Sequence, residues 1–193
     1  AKNVQTPNVN RLAKSGILFT NAHATAATST PSRYSMLTGE YAWRKEGTDV
    51  AAGNAGMIIR PEQYTMADMF KSVGYATAAV GKWHLGAFSP YLPTDHGFDT
   101  YFGIPYSNDM SRKEQIKLGN TKYPYEYIIY EQEKELEREP QQYNLTQQVT
   151  KAAIRYIKSN ENSPFFLYLA HPMPHMPVYA STDFQGKSAR GKY

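Results

Sequence analysis

Apolar positions fall into runs of two kinds along the 193-residue chain, some at helical spacing and some continuous. Thr6-Pro7-Asn8-Val9 predicts a helix start, with Thr6 as N-cap and Pro7 at the first helical position. Leu12 and Ala13 supply its apolar side, Gly16 closes it, and Ile17-Leu18-Phe19 then reads as a short strand. Beyond a stretch of small residues from Ala22 to Thr30, Pro31 opens a second helix that carries Tyr34, Met36 and Leu37 and ends at Gly39. Ser29 and Thr30 therefore sit at a helix N-terminus. Thr65 and Asp68 form a capping-box-like pair ahead of a helix whose face is Met66, Met69, Phe70 and Val73, and Tyr75 to Val80 follows as a buried strand.

Between Phe88 and about Pro140 this regularity is lost. Pro90, Pro93, Pro105 and Pro124 punctuate an aromatic-rich region that reads as a loop excursion, and the charged run Glu131–Glu139 as a solvated hairpin or loop. The pattern then resumes: Val149, Ala152, Ala153, Tyr156 and Ile157 lie at helical spacing, and Phe165–Ala170 reads as a buried strand. Helix followed by strand, repeated, predicts an α/β fold with parallel strands flanked by helices. No internal repeat is visible. The chain enters a helix without a leading strand and stops without a closing element, so residues 1–193 read as part of a larger domain.

Composition narrows the chemistry. Hydrophobic residues at 41% with only 20% charged can bury a core and do not resemble disorder. The absence of Cys excludes disulfides, thiolate metal sites and a cysteine nucleophile. A net charge of +4 favours anionic ligands, but Lys187–Lys192 holds too few charges for a nucleic-acid patch. No apolar run approaches the roughly 20 residues of a membrane span, and Ala1-Lys2-Asn3 begins no recognisable signal peptide.

In open α/β sheets ligands bind beyond the carboxyl ends of the strands. That rule selects Gly81-Lys82-Trp83-His84 after one strand and His171-Pro172-Met173-Pro174-His175 after another, together with Ser29 at a helix N-terminus that favours anions and Arg33 one turn further on. A hydroxyl, an Arg, a Lys and two or three His suit a substrate with a compact oxyanion: the cations neutralise charge, and His moves protons near neutral pH.

Ser29-Thr30-Pro31-Ser32-Arg33 with Leu37-Thr38-Gly39 resembles the first sulfatase signature, and Gly74–His84 resembles the second. Thr6-Pro7-Asn8, His96-Gly97-Phe98-Asp99, Gly103–Asp109 and Pro174-His175-Met176-Pro177 also look like sulfatase segments and occur in the expected order. Within the family they look most like arylsulfatase A and N-acetylgalactosamine-6-sulfatase relatives. The resemblance implies an alkaline-phosphatase-like, mixed but mostly parallel α/β sheet, incomplete in this chain, as the N-terminal part of a sulfatase catalytic domain. It implies that Ser29 is oxidised by a maturation enzyme to Cα-formylglycine, whose hydrate is the nucleophile. Arg33 and Lys82 would then hold the modified residue and the sulfate, His84 would take a proton from the remaining hydroxyl, and His175 would protonate the leaving alcohol. Ser107 matches a sulfate-contacting position, and His171 is carried as a substrate contact.

The Ser at position 29 resembles the serine-type branch of the family. Calcium is implied as well, with Ser29, as formylglycine, among its ligands, but the carboxylate ligand pairs and the second active-site Lys of the family have no match in this sequence. The expected reaction is hydrolysis of a sulfate monoester, with a sulfated sugar favoured over an aryl sulfate because aromatic residues crowd Phe88–Tyr130 and can stack on sugar rings. A phosphomonoester or phosphonate hydrolase of the same superfold and a catalytically silent sulfated-glycan binding protein are the alternatives. Secretion or a periplasmic location is the family expectation.

Overall fold

The computed structural model describes residues 5–53, 55–56, 58–121 and 125–191, so Ala1–Asn3, Pro124, Lys192 and Tyr193, which figure in the sequence reading, lie outside the described residues. The elements run in the order α1 (Pro7–Ser15), α2 (Ser29–Thr38), α3 (Met66–Ser72), β1 (Ala76–Lys82), β2 (Thr100–Ile104), α4 (Arg112–Lys117), β3 (Ile128–Glu131), β4 (Lys134–Arg138), α5 (Gln142–Ser159) and β5 (Phe165–Ala170), with, among the described residues, three single-turn 3-10 segments between them and one after β5. The sheet order is β4-β3-β2-β1-β5. Strand β1 pairs in parallel with β2 and β5, while β3 is antiparallel to both β2 and β4, so four of the five strands point the same way. This is the mixed, mostly parallel α/β sheet that the sequence implied.

Alternation along the strands sorts the core into two layers. Val80 packs with Val149, Ala152 and Ala153 of α5 and with Phe102 and Leu167. The neighbouring Ala79 faces the other way, into a cluster with Tyr34 and Leu37 of α2, Ala67 of α3, Trp83, Phe98 and Tyr101. The Thr65–Asp68 capping box is formed in full: the Thr65 hydroxyl accepts from the Asp68 N–H, and the Thr65 N–H donates to the Asp68 carboxylate at 2.9 Å.

Four expectations are corrected. Ile17-Leu18-Phe19 forms no strand and its side chains are exposed, because strand propensity holds only where a neighbour pairs and covers the segment, and no described residue does so. The region after Phe88 is not a loop excursion. It contributes central strand β2 and the β3–β4 hairpin, and Tyr101, Tyr106 and Tyr127 fill the core rather than offer stacking platforms. The face of α3 is also rotated: Ala67 is its buried residue, while Met69 and Val73 are exposed. Strand β5 is only partly buried, with Leu169 exposed, because it ends the strand order and pairs with β1 alone among the described residues.

At the carboxyl ends of the three parallel strands the backbones close in. Gly81 lies in register with both Gly103 and Ala170. A Cβ on Gly81 would fall 2.0 Å from the Ala170 carbonyl oxygen, and one on Gly103 would fall 1.9 Å from the Gly81 carbonyl oxygen. Glycine at both positions lets the strands meet just before Lys82, which fixes where the following residues emerge. Replacing Gly103 by Ala in the intact protein is expected to cost roughly 3 kcal/mol of stability, read as a lower urea midpoint, because only backbone movement can relieve the clash. An unchanged midpoint would show that the approach is looser than described.

Candidate active site

Five of the residues selected from sequence form one hydrogen-bonded group. Ser29 is the first residue of α2, and the preceding Thr28 makes no side-chain cap, so the helix N-terminus is open toward the cleft. Arg33, one turn along, donates Nε–H to the Ser29 Oγ at 2.8 Å. Its other arm donates to the Lys82 carbonyl and, at 3.0 Å, to the Tyr168 hydroxyl on β5. Helix and both strands are thereby clamped by a single guanidinium, whose planar fork suits such multiple contacts.

Lys82 ends β1 and is buried, with Nζ donating to the Ser107 Oγ at 3.1 Å. Ser107 is buried at the far side of the same space and keeps its own O–H free to point at an anion. Burial, and then the neighbouring Arg33 charge, lower the Lys82 pKa to about 8, while Asp109 opposes the shift. Lys82 therefore remains cationic at neutral pH.

His84 follows two residues after the strand. Its Nδ1 lies 2.9 Å from the Ser29 Oγ, and its Nε2 lies 2.8 Å from the Ala51 carbonyl. A carbonyl only accepts, so Nε2 carries the hydrogen and Nδ1 presents a lone pair to the Ser29 hydroxyl. Burial, reinforced by the Lys82 charge, pulls the imidazole pKa down to about 4. At pH 7 it is a neutral base in contact with the hydroxyl.

The remaining two histidines stand apart from this group. His175 lines a cavity of about 250 Å³ together with Ser29, His84, Ser107 and Asp109. Its Nδ1 is 2.6 Å from the Met176 carbonyl and 3.9 Å from the Asp109 carboxylate, the latter too long for a hydrogen bond. His171 lines the neighbouring, wider cleft of about 1230 Å³, with its pKa lowered by desolvation. Ser29 borders both spaces, at their junction. The sequence reading did not single out Tyr168, whose hydroxyl braces Arg33, or Ala51, which contributes only a carbonyl. It quoted Asp109 inside a motif without a role.

Among the described residues no group of three or more His, Cys, Asp or Glu converges to hold a metal ion. Two cations surround the Ser29 oxygen, and hard divalent cations require several oxygen ligands, so these residues by themselves do not make a calcium site.

As pH falls, the unfolded chain protonates His84 near its ordinary value of 6.5, whereas the folded protein resists down to about 4. Stability attributable to this residue is therefore lost between those values, by about 3 kcal/mol. Urea unfolding of the intact protein across this range should fall more steeply for wild type than for H84N. Parallel curves would mean that the imidazole is not held neutral.

A family model described as Sulfatase matches residues 2–193. The chain is similar to the N-acetylgalactosamine-6-O-sulfatase of Bacteroides thetaiotaomicron, at 35% identity over an alignment of 243 residues covering 99% of this chain and 47% of the relative. It is likewise similar to the human N-acetylgalactosamine-6-sulfatase, at 35% identity over 201 residues covering 98% of this chain and 38% of the relative. Among solved structures, the Bacteroides thetaiotaomicron protein BT33336S-sulf, described within the metabolism of multiple glycosaminoglycans, superposes with a TM-score of 0.79 at 32% identity. That match covers 96% of this chain and 49% of the other. The chain spans less than half the length of each of these relatives.

Proposed function

The chain belongs to the sulfatase family, and from that premise we propose that it is the N-terminal part of a catalytic domain that hydrolyses a sulfate monoester on a sulfated carbohydrate. The observation that carries this reading is the Ser29 oxygen held between the Arg33 guanidinium and a neutral His84, beside a buried cationic Lys82. The relatives named for N-acetylgalactosamine-6-sulfate esters favour an amino sugar sulfated at a primary hydroxyl. The tyrosines of the central region, being core, lend no support to sugar binding.

An unmodified serine is a weak nucleophile even with a base beside it. Oxidation of the Ser29 side chain by a maturation enzyme would give formylglycine, and its hydrate supplies one hydroxyl to attack sulfur and a second through which sulfate is expelled. The residues present fit such a group. His84 Nδ1 is placed to take a proton at the Ser29 oxygen, while Arg33 and Lys82 offset charge on the sulfuryl oxygens, with the Ser107 hydroxyl as a further donor. In this reading His175, which lines both spaces, protonates the departing alcohol, and His171 contacts the sugar in the wider cleft. Calcium, expected from the family, would need ligands beyond those described here, and no step depends on it. Export to the periplasm or the exterior belongs to the same proposal.

The test uses the intact protein produced with a maturation enzyme. The peptide containing Ser29 is expected to show the mass of the aldehyde rather than of serine. N-acetylgalactosamine-6-sulfate should be desulfated faster than the matched phosphate ester, and S29A should lower turnover by at least about a thousandfold. An unmodified serine with sugar binding but no turnover would replace this reading by that of a binding protein. Preference for the phosphate ester would replace it by that of a phosphohydrolase.

A further inference from the structure

Thr30, next to the proposed nucleophile, is fully buried and faces away from both clefts. Its Oγ1 donates to the His84 carbonyl at 3.1 Å and accepts the Ala51 N–H at 2.9 Å. The Ala51 carbonyl in turn accepts the Nε2–H of His84 at 2.8 Å. The three bonds close a ring: Thr30 to the His84 backbone, the His84 ring to Ala51, and Ala51 back to Thr30. Through it the residue after Ser29 is tied to both the backbone and the imidazole of the base that faces Ser29.

His84 needs such a tie. Its φ is 63°, a left-handed conformation that a non-glycine residue adopts only when its surroundings impose it. The other backbone restraint is the His84 N–H donated to the Pro105 carbonyl at 2.9 Å. The segment that carries Ala51 belongs to no helix or strand, and the Thr30 hydroxyl is the group that holds the Ala51 N–H.

We propose that Thr30 is a positioning residue for the sulfatase reaction: its hydroxyl fixes the Ala51 carbonyl and the His84 backbone together, and so commits His84 to the tautomer whose Nδ1 lone pair meets the Ser29 oxygen. The inference rests on the sulfatase reading above. Thr30 acts through His84 and touches neither Ser29's oxygen nor the cleft. Freed from the ring, the Ala51 carbonyl no longer holds the Nε2–H of His84, and the Nδ1 lone pair is no longer aimed at the Ser29 oxygen.

The experiment compares wild type, T30V and T30S in the intact, matured protein, with each rate divided by the aldehyde fraction at position 29. T30V keeps the shape and loses the hydroxyl; its kcat is expected to fall at least about tenfold with KM nearly unchanged, since Arg33 and Lys82 are untouched. T30S restores the hydroxyl and should restore kcat. A T30V protein whose melting temperature drops while its kcat stays put would overturn the assignment, leaving Thr30 a packing residue. Ring nitrogen shifts of His84 in the wild type decide the matter independently of whether T30V folds: a proton on Nε2 is expected, and a proton on Nδ1 would overturn it. Absence of wild-type turnover on any sulfate ester would strike the functional reading itself.

Discussion

A neutral imidazole held between a hydroxyl and a carbonyl is the constraint on which this site is built. His84 can act on the Ser29 oxygen only while Nδ1 carries a lone pair, and that requires both a fixed donor on Nε2 and a surrounding that resists protonation. The sheet supplies both conditions. By bringing Gly81 and Gly103 into near contact, β1 and β2 lower His84 into a pocket where it is almost fully enclosed, with Lys82 buried two residues before it. The same burial that depresses the imidazole also depresses Lys82, but the two stop on opposite sides of neutrality. One environment thus yields a base and a cation.

The charge balance around Ser29 follows from this arrangement. Arg33 and Lys82 lie on one side, and Asp109 is the carboxylate that acts on both Lys82 and His84. Its buried Oδ1 has no hydrogen-bond partner among the described residues, so its influence there is exerted as field rather than through a bond. A site with this surplus of positive charge lowers the energy of an anion at the helix N-terminus and resists releasing it. His175, to which the proposed reaction gives the proton for the leaving oxygen, lines both the smaller cavity and the wider cleft and is more exposed than His84.

Much of this was readable from the residues alone, and the boundary has a physical origin. Strands β1 and β5 are largely apolar runs between helix end and loop, so their existence is written into composition; that β5 stays only partly buried at the end of the strand order is not. Strand β2 was missed because Thr100–Ile104 is short, contains Gly103 and lies among prolines; its place in the sheet comes from pairing with β1, which no local pattern encodes. Ile17-Leu18-Phe19 shows the converse, propensity without a pairing partner among the described residues. In the site, Ser29 and Arg33 share a helix face by their spacing, and Lys82 and His84 follow a legible strand. Tyr168 reaches Arg33 across 135 residues of sequence, and Ala51 serves through a backbone atom, for which the side chain gives no signal.

The same division explains why the motif is rigid while its surroundings are open. Arg33 draws α2, β1 and β5 together through one planar group, so displacing any one of them disturbs the Ser29 oxygen directly. The wider cleft is bordered instead by the irregular segment from His23 to Thr28 and by the loop from His171 to His175, which owe little to the sheet. The contacts around the Ser29 oxygen are therefore set in the part of the fold that packing fixes, whereas the walls of the wider cleft, His175 included, lie in irregular segments that can vary at small energetic cost.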